Sequence, residues 1–435
     1  MKSIWQRERE KKPSFEAMNG DKKCHVLVIG GGAAGIACAH KLSSLGVQVI
    51  LIEAKEICDG ITAHTTAKVT AQHGLIYSRI LSEEGEERAA QYYRAQETAV
   101  KEIKNIARRL KCEFTSAPSY VYSHRGEEKL IKEQRAIERI GGKSELVKEV
   151  EIPLEVDGAI RMDGQGMINP LDFFYSLARG FKIYEGTKAL EFFPGGVVTD
   201  RGIIRADNIV VATHFPIINK HGFYFLKMYQ HRSYVLALKG AAVPKGMYVD
   251  EWDKGMSFRG YGDSLLLGGG GHRTGKRGEA WREIESFARE KYPGAEITDR
   301  WAAQDCMTLD GVPYIGKYSR KTEKLYVATG FNKWGMTSSF VAADIISSEI
   351  LGGKRDYREV FMPKRSILRP QLAINAGEAL LGWLTPTAPR CPHLGCALKY
   401  NKAEHSWDCP CHGSRFSEDG ELIDNPATDD KRVGG

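Results

Sequence analysis

Val26-Leu27-Val28-Ile29-Gly30-Gly31-Gly32-Ala33-Ala34-Gly35 is an aliphatic run that enters a G-x-G-x-x-G turn. Aliphatic and β-branched side chains suit a buried strand. The small residues that follow predict a helix to about Leu45, ended by Gly46, and Val47–Ile52 predicts a second strand ending at Glu53. Strand, glycine turn, helix, strand and acid in this order form the first βαβ unit of a dinucleotide fold. Gly30 makes the tight turn, Gly32 lets backbone approach a pyrophosphate, and Gly35 lets helix and strand pack closely. The helix N-terminus, with Ala33 and Ala34 in its first turn, offers N–H groups and a positive dipole end to phosphate. Glu53, eighteen residues after Gly35, is placed to accept hydrogen bonds from an adenosine ribose. An acid there disfavours a 2′-phosphate, and so NADP.

No second G-x-G-x-x-G exists, because Gly268–Gly271 continues as His272-Arg273-Thr274 and breaks the spacing. A reductase using two nucleotides needs two such units. Three later segments complete the pattern: Ile209-Val210-Val211-Ala212-Thr213; Trp301-Ala302-Ala303-Gln304-Asp305 with Thr308 to Gly316; and Leu325 to Phe331 followed by Gly335-Met336-Thr337. In this order they resemble the D-amino-acid-oxidase and glycine-oxidase superfamily of flavoproteins, over about residues 20–355. The resemblance implies FAD and an α/β fold. A Rossmann-like FAD domain (20–85, 160–215 and 300–355) is interleaved with a mixed-sheet substrate domain (86–159 and 216–299). It places Thr65, Thr66 and Ala67, in the hydroxyl-rich loop Gly60–Gly74, at the diphosphate and flavin, with Gly330, Gly335, Met336 and Thr337 near the ring. Read without it, the same loop is also consistent with a solvated surface segment. Ser338–Leu351 is predicted as a helix burying Phe340, Val341, Ile345 and Leu351, with Thr337 as N-cap and Gly352 after its end. An N-terminus aimed at the flavin would favour negative charge at N1–C2=O; an ordinary packed helix is the plain alternative.

The second motif is Cys391-Pro392-His393-Leu394-Gly395-Cys396, followed by Cys409-Pro410-Cys411-His412-Gly413-Ser414. Two thiolates and two imidazoles at this spacing form a mixed sulfur–nitrogen metal site. Similar spacings also make tetrahedral zinc sites, and a metal-free disulfide pair is a third reading. Cys396, Cys411 and a glycine in each loop exceed what zinc requires. The pair of loops resembles the Rieske iron–sulfur proteins, which hold a [2Fe–2S] cluster. That resemblance assigns Cys391 and Cys409 to one iron, His393 and His412 to the other, and a disulfide to Cys396 and Cys411. Imidazole ligation raises the potential of such clusters, to roughly −150 to +300 mV. The small all-β domain this implies, residues 366–435, is shortened. Its preceding strands reduce to a stretch such as Ala379–Leu384, and no closing strand is expected after Asn425-Pro426-Ala427. So small a segment has little core of its own.

At 435 residues the chain is long for one core, and two or three lobes are expected. A net charge of +7, with no basic run interleaved with aromatics, does not suggest nucleic-acid binding. No apolar stretch approaches the about 18–20 residues that span a bilayer. Met1–Lys12 is polar and charged, without the apolar core of a signal peptide. Cys24, Cys38, Cys58, Cys112 and Cys306 read as free cysteines, and a cytoplasmic protein is expected, with peripheral membrane association compatible. Helices are predicted over Glu86–Leu110, Glu128–Ile140 and Gly278–Tyr292, and strands over Ser233–Leu238 and Ser264–Leu267.

The expected activity is oxidation of a small organic substrate at FAD, with the cluster relaying electrons singly to a partner. The superfamily suggests an amine or amino acid. Electron flow in the opposite sense, or a redox sensor without catalysis, are the alternatives. Catalytic candidates are few. His73 could reach the ring, as could His64, though lone histidines are more often structural. Arg232 or Arg273 could clamp a carboxylate, and His272 lies in the same glycine-rich stretch; structural ion pairing is as good a reading of each arginine.

Overall fold

The computed structural model describes residues 1–9, 12–252, 254–276, 280–386 and 389–431. The aliphatic run forms the strand Lys22–Ile29, which pairs in parallel with Val49–Ile52 on one side and Gly202–Val211 on the other. Val26, Leu27 and Val28 are fully buried, as both faces of a parallel strand require. The sheet continues from Gly202–Val211 through Gly196–Thr199 to Ala189–Phe193, and from Val49–Ile52 to Lys182–Tyr184. Leu325–Thr329 adds in parallel beside Gly202–Val211 and carries Tyr314–Lys317 antiparallel to itself. The helix Ala33–Ser44 covers one face and packs against the helix Gly335–Ile350.

A second, mixed sheet of eight strands runs in the order Glu296–Thr308, Met228–Lys239, Ser264–Arg273, Ser257–Tyr261, Met247–Asp250, Ser119–Ser123, Gly158–Met162, Glu145–Val147. Both strands expected in this region lie within it. The helix Ala280–Lys291 packs over Ser264–Arg273 and Met228–Lys239; the first two residues of the helix predicted here lie outside the described residues. Glu86–Leu110 is helical over the expected span, ending at a left-handed Lys111. It packs against Gly335–Ile350, so it sits on the nucleotide half. Glu296–Thr308 likewise straddles the expected boundary at residue 300 while belonging wholly to the second sheet.

Two local expectations are corrected. The helix near the third glycine motif begins at Gly335, with Trp334 as N-cap and Thr337 inside its first turn. The Thr337 hydroxyl bonds the Thr70 carbonyl and the His73 ring instead of capping. Ala379–Leu384 is not a strand. It ends the helix Pro370–Leu384, because Pro370 suits a first helical position and the Ala- and Leu-rich run favours helix. Beyond it, Lys399–Asn401, Ser406–Asp408, Arg415–Ser417 and Leu422–Asp424 form a four-stranded antiparallel sheet. Its core is small: four cysteines with Leu398, Phe416 and Ala427.

Candidate functional site

Gly30 has φ +108°, and a Cβ there would lie 2.5 Å from the Ala212 carbonyl oxygen. A Cβ on Gly35 would lie 1.8 Å from the Gly30 oxygen. Gly32 differs, since a Cβ there would meet nothing nearer than the Thr62 Oγ1 at 3.4 Å. The space over Gly32 belongs to a cavity of about 810 Å³ that Gly30, Ala33, Ala34, Glu53, Thr65, Gly330, Gly335 and Met336 also line. That volume is in the range of about 300–1,000 Å³ that holds small-molecule ligands and cofactors. A glycine cradle at a helix N-terminus, with space where a side chain would be, fits a dinucleotide diphosphate.

The remaining sequence-predicted residues lie elsewhere. Gly35 is packed against the turn. Ala67 is fully buried with φ +52°, and Thr337 is a buried bonding partner of His73. Thr66 faces a second cavity. Glu53 accepts from the Gly31 N–H at 2.7 Å and the Lys55 N–H at 2.9 Å, so the acid also holds the glycine turn. Burial raises its carboxyl above the ordinary range, against those bonds.

The second cavity, about 590 Å³, lies between the loop carrying Thr65 and Thr66 and the second sheet. The two cavities share Ile61, His64, Thr65, Asp305 and Lys333 as wall. Sequence reasoning missed what fixes this region. Trp5, fully buried, donates its indole N–H to the Thr65 carbonyl at 2.8 Å. Trp301 donates to the His64 carbonyl at 2.9 Å, and the buried Arg259 donates to the Ala67 carbonyl at 3.1 Å. Lys68 also lines this cavity. Among the described residues its ammonium has only hydroxyl partners, Thr66 at 3.3 Å and Ser257 at 3.4 Å. Burial, with Arg259 adding to it, pushes Lys68 down to about 7, and burial pushes Asp305 up to about 6. Lys68 lies in the hydroxyl-rich loop and Asp305 in the Trp301–Asp305 segment, but no local pattern marks a buried charge.

The catalytic candidates separate. His73 lines the smaller cavity, but Nδ1 bonds the Tyr92 hydroxyl at 2.7 Å and Nε2 the Thr70 carbonyl at 2.8 Å. Its ring stacks on Trp334, and burial pushes it down to about 3. His272 is buried and stacked on Tyr234. Arg232 and Arg273 are not carboxylate clamps for a ligand, because the C-terminal domain already occupies both. Arg232 Nε bonds Glu404 Oε1 at 2.9 Å, and Tyr234 and Arg415 bond the same carboxylate at 2.7 and 2.8 Å. Against the cost of burial, Arg232 and Arg415 hold Glu404 below its ordinary value. Arg273 donates to the Pro410 carbonyl at 3.2 Å, the Cys411 carbonyl at 3.0 Å and the Asn375 side chain at 2.8 Å.

The two ligand loops share one backbone pattern. Cys391 N–H bonds the Cys396 carbonyl at 2.9 Å and Cys409 N–H the Ser414 carbonyl at 2.8 Å; Gly395 and Gly413 N–H return to the Cys391 and Cys409 carbonyls, each at 2.9 Å. Cys391 and Cys409 are therefore equivalent positions. Left-handed Gly395 and Gly413, φ +75° and +90°, make the return possible. The His393 and His412 rings lie 5.1 Å apart, and Nδ1 of each is buried without a hydrogen-bond partner among the described residues. Each ring's other side is engaged, His393 Nε2 with Asn219 at 3.1 Å and His412 with the Phe225 carbonyl. Two orphaned imidazole nitrogens beside converging thiols fit a sulfur–nitrogen metal centre, with the outer partners orienting the rings. The sulfurs of Cys396, Cys409 and Cys411 lie within 4.8 Å of one another. Cys396 and Cys411, the pair for which the resemblance implies a disulfide, lie side by side here as thiols. All nine cysteines are free, and Cys391, Cys396 and Cys411 donate toward Cys409, holding its thiol far below the ordinary value.

The domains meet through amides. Gln304 Nε2 donates to the Gly413 carbonyl at 2.8 Å and to Gln230 at 2.7 Å, and Gln230 donates to the His412 carbonyl at 3.1 Å. Glu404, Arg415 and Asp424 of the C-terminal domain also line the larger cavity.

Residues 25–349 match the family described as FAD dependent oxidoreductase, and residues 351–433 match the Rieske [2Fe-2S] domain. The Rieske 2Fe-2S iron-sulfur protein YhfW of Bacillus subtilis (strain 168) is 35% identical, over 95% of this chain and 94% of its own length. Gamma-glutamylputrescine oxidoreductase of Escherichia coli (strain K12) is 24% identical over 80% of this chain and 88% of its own. Among solved structures, L-proline dehydrogenase from P. horikoshii has a TM-score of 0.68 at 20% identity, covering 79% of this chain and 98% of that one. Glycine oxidase from Geobacillus kaustophilus has a TM-score of 0.68 at 17% identity, covering 79% and 99%. These likenesses show the fold.

Proposed function

Because the chain belongs to the FAD dependent oxidoreductase family and ends in a Rieske [2Fe-2S] domain, we propose that it oxidises a small amine or amino acid and passes the electrons singly through the cluster to a partner. The observation that carries this reading is the shared wall of the two cavities. His64, Thr65, Asp305 and Lys333 border both, so a substrate held in the smaller cavity would lie across a shared wall from a cofactor held in the larger. The relative named gamma-glutamylputrescine oxidoreductase supports an amine.

FAD accepts a hydride equivalent and releases electrons one at a time, and a Rieske cluster carries one. Gly32, Ala33 and the helix they open would bind the diphosphate. Cys391, Cys409, His393 and His412 would hold the cluster. The chain's own part in the reaction is positioning and proton management. His73 is excluded as a base by its two occupied nitrogens. Lys68 Nζ and the Asp305 carboxyl hold protons whose affinities burial has moved toward neutrality, where a group exchanges protons most readily at working pH. Trp5, Trp301 and Arg259 fix the loop that separates the cavities. Gln304 and Gln230 hold the second cluster loop against the same strands that carry Asp305.

Stopped-flow mixing of the holoenzyme with a panel of amines and amino acids tests the reading. Loss of the flavin band followed by reduction of the cluster is expected for at least one compound. Cluster reduction ahead of the flavin would reverse the proposed flow, and no response of either centre would remove amines and amino acids as substrates.

A further inference from the structure

The helix Pro370–Leu384 is built inside out. Its polar side chains face the protein: Asn375 is buried and bound by Arg273, and Glu378 pairs with Lys276. Every residue it exposes is apolar or glycine. Ile374, Leu380, Leu381, Trp383 and Leu384 are 53%, 56%, 62%, 56% and 68% exposed, and Leu368 just before the helix is 83% exposed. A surface helix in water shows the opposite pattern, and so contiguous an apolar face marks an interaction site.

We propose that this helix lies in the surface of a lipid bilayer, its apolar face among the acyl chains, and holds the cluster domain against the membrane. Three observations select lipid as the occupant. First, the exposed face offers no charged side chain, and its one polar group, the Trp383 N–H, is already bonded, whereas a soluble redox partner docks through complementary charge and a polar rim. Second, the polar groups at the helix C-terminus are satisfied from within. Arg390 donates to the Gly382 carbonyl at 3.1 Å and the Thr385 carbonyl at 2.7 Å, Thr385 Oγ1 to the Leu381 carbonyl at 2.8 Å, and the Trp383 indole to the Leu394 carbonyl at 2.9 Å. An end closed in this way can leave water without unpaired groups. Third, fifteen residues reach about 22 Å, too short to cross a core of about 30 Å but suited to lying in its surface. Arg390, exposed at the C-terminal end, adds positive charge toward anionic headgroups, while Arg369 at the other end is paired with Glu83 and Glu84. The indole contact with Leu394 ties the first ligand loop to this face, so the half-buried His393 sits beside the membrane.

Sedimentation of the full-length holoenzyme with vesicles of phosphatidylcholine and phosphatidylglycerol tests the proposal. The protein is expected to pellet with the vesicles and its emission to shift to the blue, with the shift absent in Trp383→Phe. Leu380→Glu combined with Leu384→Glu changes only exposed positions, so flavin and cluster spectra should be unaltered while partitioning falls about a hundredfold. Failure of the wild-type protein to pellet, or equal pelleting of the double variant, would overturn the proposal. So would a lipid-free dimer in light scattering that the double variant converts to monomer, because a second copy would then cover the face.

Discussion

Around Lys22–Ile29 the nucleotide-binding body buries whole aliphatic side chains between helices, whereas around Cys391 and Cys409 the C-terminal domain buries four cysteines, one leucine, one phenylalanine and one alanine. The body has the apolar area to fold and shape its cavity by packing. The cluster domain depends instead on what its cysteines and histidines bind and on polar docking through Arg232, Arg273, Gln230 and Gln304. The two redox sites of one chain thus rest on different physics, and damage to one should leave the other standing.

The largest expected effect breaks the comparison at the ligands. Cys391→Ser, Cys409→Ser, His393→Ala and His412→Ala should each eliminate the cluster's absorbance and paramagnetic signal and leave residues beyond 389 open to protease, with flavin retained. Cys396→Ser and Cys411→Ser should assemble a cluster, because the two orphaned nitrogens and the two equivalent thiols persist. Equal loss in all six would show that the cysteine pair serves assembly. On the other side, Gly32→Val should retain less than about a hundredth of the flavin and keep the cluster, since the side chain fills space meant for phosphate. Full flavin content in purified Gly32→Val would place the diphosphate elsewhere.

A smaller effect sharpens the boundary between the regions. Arg232→Met leaves Glu404 buried with one cation fewer, and losing one partner of a buried pair costs about 3–5 kcal/mol. Urea denaturation followed at the cluster band should show the C-terminal domain released early, with the flavin transition unmoved. A single shared transition would mean that the two regions unfold together. The smallest effect belongs to Lys68. Its folded value of about 7 lies below its ordinary 10.5. Between these values the unfolded chain binds more protons, so stability rises with pH across that window. Lys68→Met should therefore stabilise the protein by about 1–3 kcal/mol near pH 7 and by almost nothing near pH 10.5. Denaturant midpoints at the two pH values check the sign.

Much of this comparison was legible without coordinates. The glycine turn, the helix Glu86–Leu110 and both ligand loops were found in the sequence because each is a local geometry that demands residue types a few positions apart. The misread elements share a different cause. Thr337 looked like a cap, but its hydroxyl is taken by Thr70 and His73, distant in the chain. Ala379–Leu384 was expected as a strand because the family has strands before the first ligand loop, whereas it ends a helix whose Leu380, Leu381, Trp383 and Leu384 face outward. Trp5 lay in a segment read as polar, and its burial against Tyr261 and its bond to Thr65 show that it is structural.

By itself the sequence determined the chemistry of this protein: a dinucleotide turn in the nucleotide half, a sulfur–nitrogen centre near the end, and the order of motifs that joins them. Only the tertiary structure decided how these parts meet. Arg232 and Glu404 are 172 residues apart and Gln304 and Gly413 are 109 apart, so no local pattern could pair them. It took the folded chain to convert two candidate substrate arginines into docking residues, to join two cavities at Asp305 and Lys333, and to turn one helix with its apolar face outward. The physical reason is that backbone geometry is set by near neighbours, while burial, pairing and exposure are set by whatever the rest of the chain brings alongside.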